Sequence, residues 1–228
     1  MKQYKLTASI KTALIILLGF ITSASIAASD AQLARELQMS KSIMAQNPHL
    51  NERMVILGVA GYKYAKKHSR VGNNKYLTLI DFTKPSNEKR LSVIDLDSYK
   101  SVLHIHVAHG KHSGALYAKH FSNRPGSDQT SLGVYVTRDK FIGEHGLSLH
   151  LKGIEMGINN NAARRAVEIH CAQYVSKDFI ERHHYAGRSW GCFAVSPVVC
   201  HKLAKMLAGG SVIFAYALPE ERDHNLVH

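Results

Sequence analysis

The residues with the most chemistry in them are one cysteine and one histidine. Cys192 follows Ser189-Trp190-Gly191, and Ser196-Pro197 directly behind it reads as a helix start. Upstream, Val167-Glu168-Ile169-His170-Cys171 reads as a short strand that carries a histidine. A thiol and an imidazole on separate elements are the parts of a cysteine nucleophile and its base. Gly191 lets the backbone come close to a substrate and supplies an unhindered N–H beside the thiol. The competing reading is structural, since free cysteine is among the most buried residue types and often packs as a small hydrophobe.

The positioning elements can be read in chain order. Ala31 to Leu37 has helical spacing behind Ser29-Asp30, and Asn51 caps a second helical stretch running to Lys67. The pair forms a helical leader, 28–74, packed onto the strand-rich remainder of the chain. From Lys75 the period changes to that of strands. Tyr76–Phe82 and Arg90–Leu96 make a hairpin around Lys84-Pro85-Ser86-Asn87, and Ser101–Ala108 is a third strand. Glycine- and serine-rich loops fill 110–131, before a strand over 132–137. The helix after Ser196 puts Val199, Leu203 and Met206 on one face and ends at Gly209, ahead of an apolar strand over 211–217. The fold class is therefore mainly β with a few α-helices: a domain over 75–218 and a polar tail over 219–228.

Composition narrows the setting. Apolar residues make up 45% and charged residues 20% of the 228-residue chain, which is ordinary for a globular protein. The formal charge of +12 favours anionic partners. Residues 1–27 have a signal-peptide layout: Lys2, Lys5 and Lys11 without acidic residues, an apolar run from Thr12 to Ile21, and small residues up to a cut after Ala27. The apolar run is too short to span a bilayer, so an exported protein with no membrane span after cleavage is expected. Export brings the three cysteines into an oxidising compartment. Cys192 must stay free to be a nucleophile. Cys171 and Cys200 are open to pairing, but nothing in the sequence fixes their separation, and two reduced buried thiols are the expectation. His104, His106 and His109 form His-x-His-x-x-His without a companion carboxylate or cysteine at a diagnostic spacing. They read as the solvent face of a strand, and neither a metal nor a cofactor is expected.

A resemblance sharpens this. Ile169-His170 followed by Ser189-Trp190-Gly191-Cys192 resembles the His…Ser/Thr-x-Gly-Cys signature of YkuD-type L,D-transpeptidases. The segments Val107-Ala108-His109-Gly110, Phe121 to Ser127, Ser131 to Thr137 and Gly143 to Leu149 are similar to the murein L,D-transpeptidase catalytic domain family. The resemblance covers about Tyr76 to Leu218 and implies a β-sandwich-like catalytic fold. It implies acyl transfer on peptidoglycan stem peptides through a thioester on Cys192, with His170 as base and the Cys171 carbonyl orienting the imidazole. Backbone N–H groups of Trp190, Gly191 and Cys192 are the expected oxyanion donors, and Arg188, Ser189 and His109 the expected substrate contacts. One departure stands out: many family members carry Arg or Asn two residues after the cysteine, where this chain has Ala194, and Arg188 is the expected substitute. Hydrolysis at the same site, as an L,D-carboxypeptidase or endopeptidase, and a non-catalytic wall-binding module are the alternatives. Peptidoglycan is the expected partner, with no role for nucleic acid, in the periplasm or cell envelope.

Overall fold

The computed structural model describes residues 30–218. The signal segment and its cut site, and the tail beyond Leu218, lie outside the described residues. A helix over 30–46 (α1) and α2 (Glu52–His68) precede an eight-stranded sheet: β1 (Tyr76–Asp81), β2 (Leu91–Asp95), β3 (Ser101–Ile105), β4 (Gly133–Gly143), β5 (Gly146–Gly153), β6 (Glu168–Cys171), β7 (Phe193–Val195) and β8 (Val212–Tyr216). Between β6 and β7 lies α3 (Lys177–His183), and between β7 and β8 lies α4 (Pro197–Leu207). The strand order is β3-β2-β1-β8-β4-β5-β6-β7. The mainly β reading with a few helices is what the structure shows.

The sheet is apolar on both faces at its centre, which explains the unbroken apolar run of β8. Ile80, Tyr135, Ile213 and Ala215 face one core, shared with Leu203, Ala204 and Leu207 of α4. Leu77, Leu79, Val134, Val212 and Phe214 face the other, shared with Met54, Val55, Val59 and Tyr62 of α2. The α2 cap is the one read from sequence: the Asn51 side chain accepts the Met54 N–H at 3.0 Å. Gly58 and Gly61 let α2 lie close, since a Cβ at these positions would collide with Leu79 and Val134 respectively. At the start of α4, Ser196 occupies the cap position, but its side chain makes no capping hydrogen bond.

The two ends of the sheet are joined. Past β3, the Ala108 N–H donates to the Ala194 carbonyl at 2.9 Å, and Gly110 bridges Ser189 in parallel. The outer edge of β7 is thereby covered by the chain leaving β3, which removes an exposed strand edge. The strand β7 and the helix α3 have no counterpart in the sequence reading. The first has only three residues, and the second hides behind a serine cap, where Ser176 Oγ accepts the Phe179 N–H at 3.2 Å.

The cysteine expectation is corrected by the structure. Cys171 and Cys200 form a disulfide between β6 and α4, with Cα atoms 5.4 Å apart. The sequence could not supply this distance, which arises when α4 packs back on the core face of β6. Cys192 is free. Closing a loop across 29 positions restricts the unfolded chain, an effect of about 3 kcal/mol. Reduction, or Cys171→Ala with Cys200→Ala, is expected to lower the thermal midpoint by about 6–12 °C. Calorimetry with and without reductant checks this; an unchanged midpoint refutes it.

Candidate active site

The site is set by the parallel pairing of β6 with β7, which aligns Ile169 with Phe193, His170 with Ala194 and Cys171 with Val195. Partners in register point to the same side of a sheet, and so do residues two apart along a strand. Ile169 and Phe193 face the core. His170 faces the opposite side, as does Cys192, two residues before its partner Ala194. Standard strand spacing puts the backbones of Cys192 and His170 about 8 Å apart, within reach of an imidazole and a thiol. The disulfide holds the core face of β6 while the histidine stands on the other.

The imidazole is oriented by its own strand. His170 Nδ1 lies 3.1 Å from the Cys171 carbonyl. A carbonyl only accepts, so Nδ1 carries the proton and Nε2 presents its lone pair. His170 is nearly buried, and burial pushes its pKa down, against the opposing effect of that carbonyl; nearby His145 lowers it further. The His145 ring, from the β4–β5 hairpin tip, stacks on it at 4.4 Å. Sequence reasoning did not single out His145, because its turn carries no signal of where the hairpin folds.

The thiol sits in a tightly built turn. Gly191 has φ +118°, and a Cβ there would meet the Gln129 carbonyl at 2.8 Å and the Arg165 guanidinium at 3.0 Å. The Ser189 hydroxyl spans the turn, donating to the Cys192 carbonyl at 2.7 Å and accepting the Gly191 N–H at 3.1 Å. Two expectations change as a result. Ser189 is buried and holds the turn from within, and the Gly191 N–H is occupied rather than free for an oxyanion. The Cys192 thiol donates to the Ala166 carbonyl at 3.5 Å. Burial, ahead of every other influence, pushes its pKa up to about 11; a Glu168 backbone N–H and Arg165 pull it down, and the Glu168 carboxylate pushes it up. The resting pair is therefore a neutral thiol and a neutral imidazole, not the ion pair that the residue types suggest.

Arg165 is the arginine beside Cys192. Its guanidinium donates to the Ser122 carbonyl at 2.6 Å, to the hydroxyls of Ser131 and Ser127 at 3.3 and 3.4 Å, and to the Gln129 carbonyl. It staples the 122–131 loop against Gly191. Arg188 is exposed and makes long contacts to the carbonyls of Lys111 and Gly114, at 3.5 and 3.4 Å, bracing its loop against 111–114. His109 lies beside this loop but is fully buried, so its expected contact with substrate gives way to a scaffolding position. Arg90 donates to its Nδ1 at 2.8 Å, and its Nε2 points to the Gly114 carbonyl at 3.3 Å. Burial and the neighbouring arginine push the His109 pKa down to about 3. Trp190 stands 75% exposed, with Lys111 Nζ 5.4 Å above its ring.

His104 and His106 differ from the solvent-face reading: both are half-buried, with His104 at 2.8 Å from the Ser92 hydroxyl and His106 at 3.1 Å from the Asn87 carbonyl.

The profile of the L,D-transpeptidase catalytic domain family matches residues 46–216, and the chain belongs to that family. The matched span begins within α1 and includes all of α2. Among curated proteins no sequence matches. Solved structures with a similar arrangement include an L,D-transpeptidase from Mycobacterium smegmatis (14% identity, 63% of this chain and 59% of that one, TM-score 0.40). Another comes from Stackebrandtia nassauensis (12% identity, 80% and 78%, TM-score 0.39). A third, from Bdellovibrio bacteriovorus, has 15% identity over 64% of this chain and 51% of that one, with a TM-score of 0.40. This chain thus spans less than two thirds of the Mycobacterium and Bdellovibrio chains, and family membership rests on the profile match.

The raised thiol pKa gives a test. Thiolate appears only as pH approaches the folded pKa, so alkylation of Cys192 by iodoacetamide is expected to keep rising from pH 7 beyond pH 9, toward about 11. A plateau already reached near pH 6 would instead reveal a preformed thiolate–imidazolium pair.

Proposed function

We propose that this protein is a cysteine-dependent acyltransferase acting on peptidoglycan stem peptides, an L,D-transpeptidase by reaction. The observation that carries the reading is the Nδ1–H···O=C contact of His170 with Cys171, which leaves Nε2 as a base on the same sheet face as Cys192. In the proposed reaction Nε2 takes the thiol proton as sulfur attacks the stem carbonyl. The oxyanion is held by the N–H groups of Cys192 and Trp190, since that of Gly191 is occupied. The imidazolium then gives its proton to the leaving amine, and a thioester remains on Cys192. An acceptor amine displaces the sulfur, giving the transferred amide and returning the proton through His170. Starting from a neutral pair, the base functions below the ordinary imidazole range, because a lowered His170 pKa keeps Nε2 unprotonated at lower pH. Export is part of the proposal: the Cys171–Cys200 disulfide supports an oxidising compartment, in line with the basic and apolar start of the chain.

Intact-mass spectrometry after incubation with a tetrapeptide muropeptide is expected to show an acyl adduct that Cys192→Ala lacks. Turnover should fall by roughly 10³-fold or more in Cys192→Ala, and by roughly 10²–10⁴-fold in His170→Ala. The acid limb of the wild-type rate profile is expected below pH 6.5. Retained turnover in Cys192→Ala, with the fold intact by circular dichroism, refutes the assignment. Water products without amine products would move the reaction to hydrolysis.

A further inference from the structure

The tip of the β4–β5 hairpin reaches the front of the sheet because one of its arms is bent. Thr137 faces Leu151 and Lys140 faces Leu149, so Arg138 and Asp139 together oppose His150 alone. This is a β-bulge, which bends its strand and recurs next to active sites. Beyond the bulge, Gly143 pairs with Gly146 across the two-residue turn Glu144-His145, and Gly146 closes the turn at φ +78°. Two ring contacts fasten the bent arm to the face that bears His170. Phe141 lies flat on His150, with centroids 3.8 Å apart and planes 5° apart. His145 lies on His170, at 4.4 Å and 26°. His150 belongs to that face because it pairs with Glu168, two residues before His170.

The second contact fixes what the histidine's own hydrogen bond leaves loose. The χ2 torsion of histidine is broad, so rotamer preference does not set the plane of the ring. The Cys171 carbonyl holds the ring at Nδ1 only. One hydrogen bond at one edge lets the plane rock about that bond, and rocking turns the Nε2 lone pair. A second ring laid against the flat side resists this motion. His145 is exposed while His170 is nearly buried, so His145 closes the outer side of the base. Glu168 helps to keep it there. Burial raises the Glu168 carboxyl, while the Ser148 hydroxyl, His150 and His145 pull it back down, so the carboxylate lies within electrostatic reach of the tip.

Resting on the acyl-transfer reading, we propose that His145 is a positioning residue for His170, its ring holding the imidazole plane so that Nε2 keeps its aim. The strands beneath already supply the Nδ1 hydrogen bond and the shared face with Cys192. His145 therefore adds precision to the base and does not create it, and its loss costs part of the rate.

The test compares the wild type with His145→Ala and with His145→Phe, which keeps a flat ring. The side chain is exposed, so both variants are expected to keep the wild-type thermal midpoint. Carbon-13 relaxation of the His170 imidazole reads the ring directly: its order parameter is expected to fall in His145→Ala and to be held in His145→Phe. With a tetrapeptide muropeptide, kcat should fall about tenfold in His145→Ala at unchanged KM, and His145→Phe should recover most of the rate. An unmoved order parameter in His145→Ala, an equal loss of kcat in the two variants, or a raised KM with kcat unchanged overturns the role; the last would make His145 a substrate contact instead. A wild type that forms no thioester, with the order parameter still falling in His145→Ala, would leave the positioning role standing and defeat acyl transfer. Thioester formation at the wild-type rate in His145→Ala would do the reverse.

Discussion

Everything in the site depends on the few residues of parallel pairing between β6 and β7. Neither strand is long enough to hold its register alone. Each is clamped from several sides: β6 by β5 and by the disulfide to α4, β7 by β6 and by the chain leaving β3. The clamps act on the core face or the edges, while on the face bearing His170 and Cys192 the His145 ring stacks on His170. A helix behind the sheet thus fixes the angle at which an imidazole is offered on its front.

Electrostatically, the site rests uncharged. Burial raises the thiol and lowers the imidazole, and both shifts oppose charge separation before substrate arrives. Burial outweighs both the Cys171 carbonyl, which favours the imidazolium, and the Glu168 backbone N–H, which favours the thiolate. In the proposed reaction charge develops only as the Cys192 sulfur commits to a carbonyl carbon, when backbone donors can meet it.

The legible parts of the chain were those whose signal is local. Asn51 announced α2, the strand-like runs in 76–96 announced a hairpin, and the apolar run of 211–217 announced a strand, which the structure buries on both faces. Cysteine and histidine were legible by type. What could not be read depends on distances between elements. Cys171 and Cys200 meet only because α4 folds back onto β6. Arg165 serves carbonyls and hydroxyls more than thirty positions upstream, which no local pattern reveals. The bulge at Arg138 exists only relative to the register of β5, and His145 reaches His170 only once that hairpin has bent over the sheet. The types of the candidate site residues were legible in the sequence, while the scaffold holding them required tertiary structure.

The Arg165 staple has a consequence for how this protein tolerates variation. One side chain gathers four groups from the 122–131 loop and lies against Gly191, the residue before Cys192, while Asn123 ties the same loop to Asn160 and Asn161. Inserting or deleting a residue in that loop would force several of these contacts to be rebuilt at once. The tip of the β4–β5 hairpin is different: a side chain added at Gly146 would meet no atom within 4 Å. Natural drift in chain length should therefore gather at the hairpin tip and spare the loop, so that relatives differ in what overhangs the site and agree in what underlies it.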